Sequence, residues 1–229
     1  IDARKKSDVH FTVSVRFGLR DGLDQQEVIS RADAKVSRRI RIVDEDAPSY
    51  PAPLGKHARP ALRPVVVGAG CAGLFAALTL AEAGLEPLLI ERGDNAADRT
   101  RAVEHFNATG ELDLESNIQF GLGGAGTFSD GKLTTGTKNP AHRLILQTFV
   151  DVGAPREILW EAKPHVGSDI LPGVVTHMVA RIRELGGEVL FRTRLVDIDR
   201  GSCGQIEAVH VSHNGEDEER IACSHLILA

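Results

Sequence analysis

Aromatic residues are scarce in this 229-residue chain, 4% of the total with one Trp and one Tyr, so its apolar interior has to be built from Val, Leu, Ile and Ala. That composition suits α/β proteins, whose parallel strands are covered on both faces and read as unbroken aliphatic runs. Cysteine is nearly absent: Cys71, Cys203 and Cys223 stand at wide spacings, with no CxxC pair and no nearby His pattern. This argues against a disulfide framework and a zinc site, so no metal is expected, and it fits a reducing, cytoplasmic setting. Long apolar runs are missing as well. The least polar stretch, Val65 to Ala81, is shorter than the roughly 20 residues a membrane helix needs and is interrupted by three glycines. No charged-then-apolar leader follows Ile1, so neither a signal peptide nor membrane contact is expected. The net charge is -5, and the Lys and Arg of the first 64 residues are dispersed, which reads as a solvated face and gives no reason to expect nucleic acid.

What is present divides the chain. Val9, Phe11, Val13, Val15 and Phe17 alternate with polar residues, the period-2 pattern of a strand with one buried face. Asp24 to Lys35 places Val28, Ile29 and Ala32 at helical spacing behind an acidic start, and Ile40 and Ile42 suggest another strand. These make a small α+β domain over residues 1–47. Pro48, Pro51, Pro53, Pro60 and Pro64 follow, so 48–62 reads as an extended connector, with a second domain over 63–229. There Pro64 to Val67 reads as a buried strand, Leu74 to Gly84 as a helix and Glu86 to Glu91 as a second strand, which is a βαβ unit. Helices are expected near 141–152 and 173–185, and the β-rich run from Val189 to Ala229 reads as antiparallel strands joined by tight turns.

The chemistry gathers at glycine. Gly68-Ala69-Gly70-Cys71-Ala72-Gly73 is a G-x-G-x-x-G that follows a strand and opens a helix, the context that raises this motif above chance. Gly68 permits the tight turn, Gly70 lets the backbone approach a pyrophosphate, and Gly73 brings helix against sheet, so that phosphates meet the helix's positive end. Glu91 ends the second strand 23 residues after Gly68, where a carboxylate accepts from ribose hydroxyls. Arg92 is a candidate ligand for a 2′-phosphate, against the plainer reading of a solvated side chain. A second glycine loop, Phe120 to Leu133, is too glycine-dense for helix or strand. Its Gly123, Gly124, Ala125, Gly126, Thr127, Ser129, Asp130 and Lys132 offer N–H groups, hydroxyls and charges for a second approach to a dinucleotide.

With these two loops the chain resembles the flavoprotein superfamily built on the glutathione-reductase-like FAD fold, and more narrowly a group of bacterial FAD-dependent dehydrogenases of unidentified substrate. The resemblance runs over about residues 8–229, through Val65 to Gly93, the FGLGGAGTFSDGKL run, Lys163 to Asp169, and Leu226 to Ala229. It implies a Rossmann-like FAD/NAD(P)-binding domain of three-layer ββα architecture, incomplete within this chain. It also implies that the first turn and Glu91 hold the ADP half of FAD, that Gly123 to Lys132 lies toward the diphosphate and flavin, and that the backbone of Val196 meets the adenine. The resemblance implies as well that the strand ending at Ala229 leads to a further FAD contact. Relatives tend to carry an acidic residue where Leu122 stands, so Leu122 receives no polar role.

A flavin supplies the redox chemistry itself, so no nucleophile–base triad is required. Lys163 and His165, in Lys163 to Asp169, are the candidate catalytic pair, the competing reading being a surface turn. The expected function is hydride transfer between a small-molecule substrate and bound FAD, with NAD(P)H as electron donor. Two alternatives stand beside it: an NAD(P)-binding dehydrogenase or sensor, which needs the first turn but not the second loop, and an FAD protein acting on nucleic acid.

Overall fold

The computed structural model describes residues 13, 15, 17–20, 22–42, 55, 57, 58, 60–128, 131–133, 139, 141–161, 163–216 and 218–229. The chain divides into two compact units, Ile1–Ser49 and Tyr50–Ala229.

In the first unit the helix expected from Asp24 to Lys35 is two short ones, α1 (Gln25–Arg31) and α2 (Ala34–Ser37). Asp24 caps the first by accepting from Glu27 N, but Ala32 turns extended and Asp33 then caps the second by accepting from Lys35 N. A mid-segment Asp whose carboxylate bonds local backbone favours a new helix start over continuation. Ile40 and Ile42 are described and lie in no strand. The strand expected at Val9 to Phe17 falls for the greater part outside the described residues.

The second unit opens with β1 (Val65–Val67), α3 (Cys71–Glu82) and β2 (Leu88–Ile90), followed by α4 (Ala96–Thr109). A 3-10 turn at Gly124–Phe128 leads to α5 (Ala141–Asp151), another at Arg156–Leu159 leads to α6 (Leu171–Glu184). Five strands close the chain: β3 (Glu188–Leu190), β4 (Thr193–Arg200), β5 (Ile206–His213), β6 (Glu218–Ala222) and β7 (Leu226–Leu228). They form two sheets. One is parallel throughout, in the order β3-β2-β1-β7, and the other is antiparallel in the order β4-β5-β6. The expected antiparallel run from Val189 to Ala229 is therefore corrected at both ends, because β3 and β7 join the parallel sheet. Three-residue apolar strands carry no period that would reveal which partner they choose.

The aliphatic strands explain the layering. Val66, Leu89 and Val189 point to one face of the parallel sheet and pack on Leu74, Ala77 and Leu78 of α3 and on Met178, Val179 and Ile182 of α6. Val65, Leu88 and Ile90 point to the other face and pack on Val209 and Val211 of β5 and on Cys223. Successive residues alternate faces, so each strand feeds both cores. The result is a three-layer ββα stack of the Rossmann-like class. No helix among the described residues is long and apolar enough to cross a membrane.

Helix and sheet meet at Gly73, where an added Cβ would lie 1.8 Å from the carbonyl oxygen of Gly68 and 3.3 Å from the side chain of Ala229. Backbone cannot yield as a flexible side chain does. Gly73→Ala is expected to destabilise the unit by about 3 kcal/mol, at the upper end of the range for overpacking. Urea unfolding checks this, and a midpoint equal to the unsubstituted protein's would contradict the close contact.

Candidate dinucleotide site

The site sits at the carboxyl end of the parallel sheet, where β1 passes into α3. Gly68 has φ +95 and its Cβ would lie 2.6 Å from Ala229 O, so conformation and packing both demand glycine. Gly70 differs. Its backbone is extended, with φ −73 and ψ −174, and a Cβ there would meet nothing within 4 Å. Neither the fold's geometry nor its packing requires glycine at this position, and the open space lies at the start of α3. No side chain among the described residues caps that helix end, so its first N–H groups are left facing the space. Cys71, first residue of α3, is at the surface, and its thiol is pushed up by burial against its neighbours.

The second glycine loop is docked on this turn by backbone. Gly123 N donates to Ala69 O at 2.8 Å, Leu122 N donates to Asp94 O at 3.0 Å, and a Cβ on Gly124 would lie 3.5 Å from Gly70 Cα. A Cβ on Gly126 would meet nothing within 4 Å. Thr127 is buried, and its hydroxyl donates to Leu122 O. Leu122 itself, given no polar role, is buried in the main core. Ala125 lies in the 3-10 turn between them, Ala72 follows Cys71 in α3, and Ser129 and Asp130 lie outside the described residues.

Two buried ions hold this junction. Glu91 is 5% exposed, and its carboxylate accepts from Ala69 N at 2.7 Å, Gly93 N at 2.8 Å and Gly121 N at 3.2 Å. Two carboxylate oxygens offer about four acceptor positions, so the side chain expected on a ribose already ties three loops together. Arg99 of α4 is 0% exposed and was not foreseen. Its guanidinium donates to the carbonyl oxygens of Asn117, Ile118, Gly121, Leu122 and Gly124 at 2.7 to 3.3 Å, with the Phe128 ring centroid 4.8 Å away. Burial pushes Arg99 down to about 10, and the nearby Glu91 charge opposes that shift. The signal available was α4 itself: Asn95 accepts from Ala97 N and Asp98 N at its start, and Gly110, at φ +80, closes it.

The remaining candidates take several settings. Arg92 pairs with Glu115 at 3.0 Å and lies over the Phe120 ring. In β4 the register shifts between Leu195 and Asp197, a bulge that leaves Val196, 43% exposed, without a partner across the ladder. Ala229 N donates to Val67 O beside the Gly68 turn. Lys132 and His165 face each other in an antiparallel bridge, with Leu133 N donating to Pro164 O and Val166 N donating to Gly131 O. The fold thus brings the second loop and the Lys163 to Asp169 segment together, although Lys163 and His165 are exposed. A largely apolar cleft of about 440 Å³ starts at Cys71, Gly123 and Gly126. It runs between Leu74 and Phe75 of α3, Ile145 and Phe149 of α5, and Val175 and Met178 of α6, with Lys132, His142 and Glu161 as its polar members. No group of three metal-ligating side chains occurs among the described residues.

Fold and turn together define the class, a Rossmann-like domain with an open cradle at the first helix. Residues 62–229 match the pyridine nucleotide-disulphide oxidoreductase family, and the chain belongs to it. A protein of Clostridium beijerinckii described as uncharacterized is 42% identical over 234 residues, covering 100% of this chain and 40% of the relative, so the chain spans well under half of that protein. Similar solved structures include a 3-ketosteroid-delta4-(5alpha)-dehydrogenase from Rhodococcus jostii, 15% identical, TM-score 0.45, covering 72% of this chain and 44% of that one. Another is THI4 of Thermovibrio ammonificans, 16% identical, TM-score 0.47, covering 73% and 57%. At these values the likeness says nothing about substrate.

Next to the buried ions, Arg192 closes the β3–β4 turn at φ +50 and donates to Asp94 at 2.5 and 2.6 Å and to Asp113 at 2.7 Å. The Arg192 hydrogen bond is the first cause holding the Asp113 carboxyl below its ordinary 3.8, and backbone N–H groups of Glu115 and Ser116 add to it. A carboxylate whose folded value is depressed adds stability that is complete above its unfolded value and is lost as pH falls through the folded one. Arg192→Met is therefore expected to be less stable than the unsubstituted protein by a constant margin above about pH 5, with the margin narrowing below 3.8. Urea titrations at stepped pH measure it. A margin that does not change with pH would show that Asp113 is not tuned by Arg192.

Proposed function

We propose that this chain forms the dinucleotide-binding part of an FAD-dependent oxidoreductase that passes a hydride between a small-molecule substrate and bound flavin, with NAD(P)H as electron donor. The observation that carries the reading is Gly70. Gly68 and Gly73 are glycines for the protein's own sake, whereas the space in front of Gly70 is used by nothing among the described residues and faces an uncapped helix N-terminus. An anionic diphosphate is the group such a cradle stabilises.

The residues present fit that cofactor. Gly70 and the first N–H groups of α3 would hold the diphosphate, Gly124 and Gly126 would line its other side, and the bulged backbone at Val196 is available to an adenine edge. Glu91 would orient the ribose with whatever acceptor capacity its three backbone donors leave. FAD, when bound, supplies the hydride chemistry. An NAD(P) site alone needs only the first turn, and the second loop docked against it favours the larger cofactor. The apolar cleft beginning at Cys71 and Gly126 supports a small, largely apolar substrate next to the cradle. The exposed pair Lys163 and His165 stands near it through the bridge between His165 and Lys132. The three cysteines are free, which supports a reducing compartment such as the cytoplasm and a reaction run at the flavin.

Gly70→Val separates ligand from fold. It is expected to leave urea stability within about 1 kcal/mol of the unsubstituted protein, as for a surface substitution. FAD binding by isothermal titration is expected to disappear. Undiminished FAD affinity in that folded variant would sink the assignment of the cradle.

A further inference from the structure

Arg99 is an expensive residue for the protein to maintain. A guanidinium loses its hydration on burial, and only a full set of acceptors makes that tolerable. Here every acceptor is a main-chain carbonyl, and all five belong to residues 117–124, the lead-in and first half of the second glycine loop. The loop is closed round the side chain: a Cβ on Gly121, which has φ +115, would lie 2.5 Å from Arg99 Cδ, and a Cβ on Gly93 would lie 2.6 Å from Gly121 Cα. Glu91 completes the arrangement from the other side. Gly121 donates its N–H to Glu91 while its carbonyl accepts from Arg99, so one peptide segment is gripped by two buried ions of opposite charge. Glu91 also holds Ala69 N, the residue whose carbonyl accepts from Gly123 N. Loop and turn are thereby locked at a fixed separation before any ligand arrives.

We infer that Arg99 is a positioning residue for the dinucleotide: by neutralising five carbonyl dipoles it shapes the second glycine loop into the far wall of the cradle at Gly70. The inference rests on the proposed FAD site. Carbonyl oxygens left without Arg99 would turn outward to find water, and some of that negative dipole would be directed into the space meant for a diphosphate. The loop would then oppose binding instead of framing it. Arg99 touches no ligand in this account.

The test uses Arg99→Lys, which keeps the charge but cannot reach five carbonyls, measured well below its unfolding temperature. FAD affinity is expected to fall at least tenfold, mostly through faster dissociation, and the bound flavin's absorption band is expected to shift with its altered surroundings. Methylguanidinium at millimolar concentration, added to Arg99→Ala, is expected to restore part of the affinity, a rescue that a purely structural loss would not show. Should neither variant fold, amide exchange in the unsubstituted, FAD-free protein decides instead. Gly121, Leu122 and Gly123 must then be protected to the same degree as the core strands, and rapid exchange there would overturn a preformed wall. If Gly70→Val loses FAD while folded Arg99→Lys binds it normally, the role of Arg99 fails and the site stands. If Gly70→Val binds FAD normally, it is the site reading that fails.

Discussion

The grip on Gly121 is the constraint from which the rest of the site follows. Its N–H is held by the Glu91 carboxylate and its C=O by the Arg99 guanidinium, and neither ion has a second formal charge in direct hydrogen-bonding contact. Each is satisfied by backbone dipoles. Burying a charge this way is tolerable only when every lone pair and proton is matched, since one unmatched group inside a low-dielectric region costs roughly 1–3 kcal/mol, more for an ion. The geometry is therefore over-determined: moving the second loop by an ångström breaks several bonds to Arg99 at once. A site that must present fixed N–H groups to a diphosphate benefits from a frame that cannot relax toward it.

Glycine divides into two kinds on the same evidence. At Gly68, Gly73, Gly93 and Gly121 an added Cβ would collide with backbone or with the Arg99 stem, so these positions are explained by the fold. At Gly70 and Gly126 it would meet nothing. The eight glycines of the two loops look alike in one dimension. In three dimensions Gly70 stands at the uncapped start of α3 and Gly126 lines the apolar cleft, and the proposed ligand site rests on that coincidence.

This also shows where the sequence was legible. The βαβ unit was readable because the aliphatic run, the glycine spacing and Glu91 at the next strand end all depend on local chemistry that composition cannot hide. Helix α4 was not, because it is polar along most of its surface and offers no apolar stripe; only its Asn95 and Gly110 ends announced it. Arg99 was lost with it, since an Arg in a polar segment ordinarily reads as solvated and nothing local reveals five carbonyls brought from residues 117–124. Spacing put Glu91 at the end of the second strand, where it follows β2, but its three backbone donors come from Ala69, Gly93 and Gly121, two of them distant in sequence. Strands β3 and β7 were mispaired for the related reason that three apolar residues fit a parallel or an antiparallel neighbour equally well. In the first unit, helical spacing across Asp24 to Lys35 outvoted Asp33, whose capping bond breaks the helix there.

Two networks meet at residues 91–93, and they are held by different physics. At the first helix the frame is two ions with exposures of 0% and 5%, shielded from salt by the layers around them. At the β3–β4 turn it is Arg192 with Asp94 and Asp113, partly open to solvent and anchored by a side chain whose own backbone occupies the left-handed region. The chain between them is short, because Arg192 N donates to Gly93 O and Thr193 N donates to Glu91 O. Residues 91–93 thus carry both networks, receiving the buried clamp on the Glu91 side chain and the surface network through main-chain carbonyls. Salt therefore screens the partly exposed Arg192 pairs more than the buried clamp on Gly121, although the two networks meet in the same three residues.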